Sequence, residues 1–233
     1  MKIDKRKKYF LVLDVEGAGE LDCAFVYDVG GAVVDKRGNI YDSFSFAVSD
    51  IFENEPFGIL ETAYYANKLP LYYEKIKSGE MNVKSLYYVR EHIKSLIFQY
   101  SIGEVMAYNA IYDRNALNNT QRWTTKSKYR YFLPYGVKIS CIWHMACQVI
   151  CTQKSYKKFA IENGFVSAKG NIKTSAETVY AYMIDDPSFE EEHTGYEDVK
   201  IESEIMARCF RQHKKMNRYP NRWCWRIPQG KAV

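Results

Sequence analysis

Two carboxylates follow directly on an apolar run in "YFLVLDVEGAG", residues 9–19. In a strand with side-chain period two, Asp14 and Glu16 fall on the same side of the sheet, where their charges repel unless something positive lies between them, usually a metal ion. Asp and Glu before "GAG" are also ordinary turn chemistry, so the pair gains meaning from what the rest of the chain adds. Asp113 sits one turn into a helix that follows "EVMAYN", with Leu117 four residues on to anchor that face. Asp198, Ile201, Ile205 and Cys209 are spaced three, four and four residues apart and share one helical stripe. Asp198 therefore begins a buried face, and an unpaired charge there is costly, so it needs a metal or a basic side chain. His193, five residues earlier, would lie about 140° around a continuous helix and is therefore placed on the preceding loop, with Gly195 supplying the bend.

The order "DVE", "YNAIYD", "HTGYED" resembles the three exonuclease motifs of DnaQ-like, DEDD-type 3′–5′ exonucleases, and the His-x-x-x-x-Asp spacing resembles their DEDDh branch. The resemblance runs from about residue 8 to residue 212. It implies a ribonuclease H-like α/β fold, a five-stranded mixed sheet flanked by helices. It also implies that Asp14, Glu16, Asp113 and Asp198 hold two divalent cations and that His193 is the general base. Asn109 matches a position that is often polar in these enzymes and is expected at the substrate, as are Gly17 and Ala18 beside the Glu. Carboxylate ligands suit hard cations, so Mg2+ or Mn2+ is expected rather than zinc. Two such ions roughly 3.5–4 Å apart would assist phosphodiester hydrolysis by activating water and stabilising the leaving oxygen. Two departures stand out. "EGAGELDC" replaces the Thr-rich stretch that many relatives carry after the Glu, and the loop before His193, "DDPSFEEE", is acidic.

The elements that must position these residues are legible in outline. "KYFLVLD" reads as a buried strand, and "CAFVYDVGGAVVDKRGNIYDSFSFAV" as a hairpin turning near "DKRGN". Residues 50–84, with Pro56, Gly58, Pro70 and Gly79, read as short helices and loops outside the sheet, an insertion. Leu86, Val89, Ile93, Leu96, Ile97 and Tyr100 mark an amphipathic helix, followed by the strand "EVMAY". A Thr174-x-x-Glu177 capping box starts "TSAETVYAYM", and "YEDVKIESEIMARCF" is the last helix. The chain reads as a single exonuclease domain over residues 1–233, with a basic aromatic tail at 213–233.

Composition bounds the rest. With 47% apolar and 15% aromatic residues in 233, the chain can bury one sizeable core and resembles no disordered, collagenous or coiled-coil class. Neither a signal peptide nor a membrane span fits the sequence, so the expectation is a cytoplasmic protein with six reduced cysteines. "CIWHMACQVIC" reads as one helix whose thiols are buried rather than zinc-bound. The net charge of +5 is gathered in "KIDKRKK", "RWTTKSKYR", "KSYKK" and "RQHKKMNRYPNRWCWR", patches that suit a polyanion. In the tail, Arg222 and Trp223 belong to an Arg/aromatic alternation that suits single-stranded nucleic acid or, alternatively, packs onto the domain. The expected partners are single-stranded DNA or RNA, or short oligonucleotides, and no membrane; the oligomeric state is left open, a homodimer included. Two other functions stay open: a phosphodiesterase for short oligonucleotides or cyclic nucleotides, and a nucleic-acid-binding module with an idle site.

Overall fold

Strand β1 (Tyr9–Ala18) is buried through its first five residues because helices cover both of its faces. Phe10 and Val12 point into one apolar cluster, and Leu11, Leu13 and Val15 into the other. The same alternation carries Asp14 and Glu16 along the Phe10–Val12 face to the strand's C-terminal end. The computed structural model describes residues 3–53 and 56–232; Lys2 of the N-terminal basic run, residues 54–55 of the 50–84 segment and Val233 of the tail lie outside them.

β2 (Phe25–Asp35) and β3 (Ile40–Val48) continue antiparallel from β1 as the expected hairpin. Asp35 closes the turn by accepting the amides of Arg37 and Asn39. β4 (Asn82–Lys84), β5 (Glu104–Ala107) and β6 (Lys138–Cys141) add in parallel, giving the mixed order β4-β3-β2-β1-β5-β6. The expected α/β, ribonuclease H-like arrangement is present, with six strands rather than five. The extra strand is β4, from the end of the 50–84 segment. Its three residues show too short an alternation to register in sequence, and they pair with β3 at the sheet edge.

The helices are α1 (Ser49–Phe52), α2 (Leu69–Ser78), α3 (Leu86–Gln99), α4 (Ala110–Thr125), α5 (Ile142–Val149), α6 (Lys154–Glu162), α7 (Ala176–Ile184) and α8 (Gly195–Arg211). α3 and α4 border one cluster, α5 and α8 the other. Three sequence expectations shift. The cap of α7 is Ser175, whose hydroxyl accepts from Thr178 N, while Thr174 instead accepts from the Trp143 indole at 2.8 Å. Cys141 ends β6 and only Cys147 lies within α5, although Cys141, Cys147 and Cys151 are all buried free thiols. The bend before α8 is made by His193, at φ 58°, and not by Gly195.

Gly195 has a different task. A Cβ there would meet Gly30 N at 2.6 Å and Asp14 O at 3.1 Å, so the first turn of α8 lies directly on the β1–β2 ladder opposite Gly30. Gly30→Ala is expected to destabilise the protein by about 3 kcal/mol or more, because backbone and not a pliable side chain occupies the space. A thermal melt within a degree of wild type would overturn this account of the contact.

Candidate active site

Four elements converge at the C-terminal end of β1. A bulge in the β1–β2 ladder falls between Glu16 and Gly17, immediately after the two carboxylates, a place where bulges commonly re-aim side chains. α4 starts behind Asn109, itself left-handed at φ 61°, and brings Asp113 back over β1, where it is buried against the Val15 amide. α8 brings Asp198. Its N-terminus is held by Asp28 on β2, whose Oδ2 accepts the Gly195 amide at 2.8 Å and the Tyr72 hydroxyl at 2.9 Å. The loop before α8 carries His193.

Asp14, Glu16, Asp113, Asp198 and His193 all line one cavity of about 400 Å3, together with Asn109, Tyr65, Tyr112, Glu191 and Glu202. That volume lies in the range of small-ligand pockets, roughly 300–1,000 Å3. Nδ1 of His193 lies 3.8 Å from Glu191 Oε2 and 4.0 Å from Asp198 Oδ2. Burial, and then the neighbouring carboxylates, push the Asp14 and Glu16 carboxyls well above the ordinary range; burial does the same to Asp113 and Glu202. Burial raises Asp198 to about 7 and Glu191 to about 8, and Asp28, despite its two donors, to about 6. Burial moves His193 the other way, below its usual value, which favours the neutral imidazole.

Among the described residues no lysine or arginine lines this cavity. Asp14 Oδ2, Asp113 Oδ2, Asp198 Oδ1 and Glu191 Oε1 are buried without a hydrogen-bond partner. Such groups are ordinarily satisfied, and oxygen donors in this number suit hard divalent cations. Among the described residues, Glu16, His193 and Asp198 form a three-residue group whose ligand atoms lie within 4.8 Å of one another. The residue set therefore fits divalent metal.

The other residues expected at substrate divide. Asn109 lines the cavity. Gly17 and Ala18 do not: Ala18 is fully buried in the core, and the Tyr112 hydroxyl covers Gly17 so closely that a Cβ would collide with it. Tyr112 itself lines the cavity. Arg222 lines an adjoining cleft with Asn109, Tyr112 and Trp143, and its guanidinium lies 3.7 Å from the Asp22 carboxylate. Trp223 is half-exposed under the Arg226 guanidinium and lines neither cleft. Much of the tail packs inward. Cys224 is buried, Arg218 lies 3.3 Å from buried Glu104, and the Tyr219 carbonyl meets His144 Nδ1 at 2.7 Å.

Several site residues, Tyr112 among them, escaped the sequence reading. Glu202 was within reach of it, since it lies one helical turn beyond Asp198; its Oε2 accepts the Tyr108 amide at 3.2 Å. Glu191 was hidden in a run of three glutamates. Asp28 and Tyr65 come from segments with no motif, and only the tertiary fold brings them to the site.

No family model and no curated protein matches the sequence. Solved structures do. The chain shares its fold with part of E. coli exonuclease I. Against that protein in complex with a dA16 oligonucleotide, the TM-score is 0.53 at 11% identity, covering 88% of this chain and 43% of that one. Against its zinc-bound form with single-stranded DNA, the TM-score is 0.50 at 12% identity, covering 89% and 41%. This chain thus spans about two-fifths of the length of exonuclease I. Among the described residues no helix is long and apolar enough to cross a membrane.

Proposed function

We propose that this chain is a divalent-metal-dependent 3′–5′ exonuclease of the DnaQ-like DEDDh type, acting on single-stranded nucleic acid. The observation that carries the reading is the convergence of Asp14, Glu16, Asp113 and Asp198 with His193 around one cavity, with buried carboxylate oxygens left without partners. The shared fold with exonuclease I, crystallised with single-stranded oligonucleotides, supports the substrate class.

In this reading the four carboxylates hold two ions, Mg2+ or Mn2+, which supply charge stabilisation for the phosphodiester and its leaving oxygen. The remaining work falls to side chains. His193, kept neutral by burial, accepts a proton from the attacking water. Asn109 and Tyr112, at the mouth shared by the cavity and the Arg222 cleft, contact the terminal nucleotide, and Arg222 meets a phosphate further along the strand. Metal binding also neutralises the acid cluster, which would otherwise repel a polyanion.

Such a site works from a free 3′ end. With manganese, a linear single strand labelled at its 5′ end is expected to shorten from the 3′ side, while a circular strand of the same sequence survives. Rapid cleavage of circles would mean an endonuclease and overturn the proposal.

A further inference from the structure

The loop that carries His193 is held from outside the catalytic motifs. The 50–84 segment, which we read as an insertion, touches three consecutive loop residues. Lys75 pairs with Glu192, and its Nζ lies 3.4 Å from Thr194 Oγ1. The Tyr72 hydroxyl lies 3.2 Å from the His193 carbonyl oxygen. The Tyr65 ring lies flat on the imidazole, with centroids 3.9 Å apart and an interplanar angle of 12°. His193 itself has φ 58°, a backbone state that persists when its surroundings over-determine it.

We propose that residues 65–75 are a clamp for His193, with Tyr65 as the positioning residue that fixes the plane of the imidazole. The inference rests on the reading of His193 as general base. The Lys75 contacts with the Glu192 and Thr194 side chains, and the Tyr72 hydroxyl beside the His193 carbonyl oxygen, fix where the ring starts, but its rotation about χ1 and χ2 is left to what it packs against. On the cavity side lie acids, Glu191 and Asp198, at 3.8 and 4.0 Å from Nδ1, too far for good hydrogen bonds. The Tyr65 ring, stacked on the face of the imidazole, is the contact that selects one rotamer. A base must stand within hydrogen-bond reach of the proton it takes, and a misplacement of about 1 Å can cost roughly a hundredfold. Stacking needs the ring and not the hydroxyl.

The test is a double-mutant cycle in the full chain with magnesium. Tyr65→Ala and Tyr65→Leu are expected to lower kcat roughly tenfold to a hundredfold with KM nearly unchanged, while Tyr65→Phe restores the rate. In a His193→Ala background, Tyr65→Ala should cost nothing further, because the residue acts through the imidazole. In magnesium-loaded wild type, the carbon-bound ring protons of His193, assigned by their loss in His193→Ala, should resonate upfield and move downfield in Tyr65→Ala. Equal proton shifts in wild type and Tyr65→Ala would overturn the clamp and leave the general base standing. So would a Tyr65→Ala defect that appears in KM and persists without His193, which would make Tyr65 a substrate contact. A His193→Ala enzyme with wild-type rate removes the general base, and the clamp's catalytic role falls with it.

Discussion

Replacing Asp14 with asparagine is expected to abolish turnover while raising the melting temperature of the metal-free protein at neutral pH. Both effects follow from one arrangement. Asp14 is half-buried, its Oδ2 is enclosed without a partner, and desolvation, then Glu202, Asp198, Asp113 and Glu16, push its carboxyl upward. Without metal, the folded state holds protons on these acids at a pH where the unfolded chain, with carboxyl values near 4, has released them. Stability is then greatest below about 4, where both states are protonated, and is lost as pH rises through the folded values, about 7 for Asp198 and about 8 for Glu191. Each unit of separation corresponds to about 1.4 kcal/mol. Glu104 and Asp35 are shifted downward and weaken the fold only in stronger acid, whereas His92 and His193, lowered by burial, oppose the cluster as pH falls below about 6.5, so a comparison of pH 5 with pH 8 reads the acids against two histidines. Chelator-treated wild type should melt higher at pH 5 than at pH 8, manganese should remove most of that difference, and Asp14→Asn should flatten it. Turnover should fall roughly a thousandfold or more, the scale of losing several kcal/mol of charge stabilisation. Identical melts for wild type and variant in chelator at pH 8, or unchanged manganese affinity by calorimetry, would sink the assignment.

The parts of this site that sequence displays are those set by local periodicity. Asp14 and Glu16 share a face because strands alternate, and Asp198 starts a buried stripe because Ile201, Ile205 and Cys209 repeat it. His193 falls off that helix by simple rotation. Contacts made across the fold have no such signature. Asp28 caps α8 from 167 positions away, and nothing in "VYDVGG" distinguishes it from a strand-end polar residue. Gly195 looked like a hinge because glycine usually marks a turn; its packing against Gly30 depends on which helix crosses which strand. Gly17 and Ala18 read as substrate contacts by adjacency to Glu16, but past the bulge Tyr112 covers the first and the core takes the second. The basic tail is legible only in part for a related reason. Arg218 spends its charge on buried Glu104, together with Lys8, which composition alone cannot separate from a free cationic surface.

Substituting His193 should separate the base from the metal ligands. Its left-handed backbone favours residues that tolerate positive φ, among which asparagine is one of the best, so His193→Asn removes the imidazole with little strain and His193→Ala serves beside it. Neither change removes a carboxylate, and so manganese affinity and the melting temperature of the loaded protein should stay close to wild type. The maximal rate should fall by roughly a hundredfold or more, the usual contribution of a positioned base. Burial lowers the imidazole's proton affinity, with Lys68 adding to it and Glu177 opposing. The histidine part of the acid limb in wild type should therefore lie below the ordinary value of about 6.5. Glu191 Oε2 lies 3.8 Å from Nδ1, so the apparent limb in the metal-loaded enzyme belongs to the pair. The variants should lose the histidine component and retain whatever the carboxylates contribute. Rate profiles for wild type, His193→Asn and His193→Ala at saturating manganese decide the matter: near-wild-type rates in either variant across the range would take the base from His193 and leave a carboxylate site without its proton acceptor.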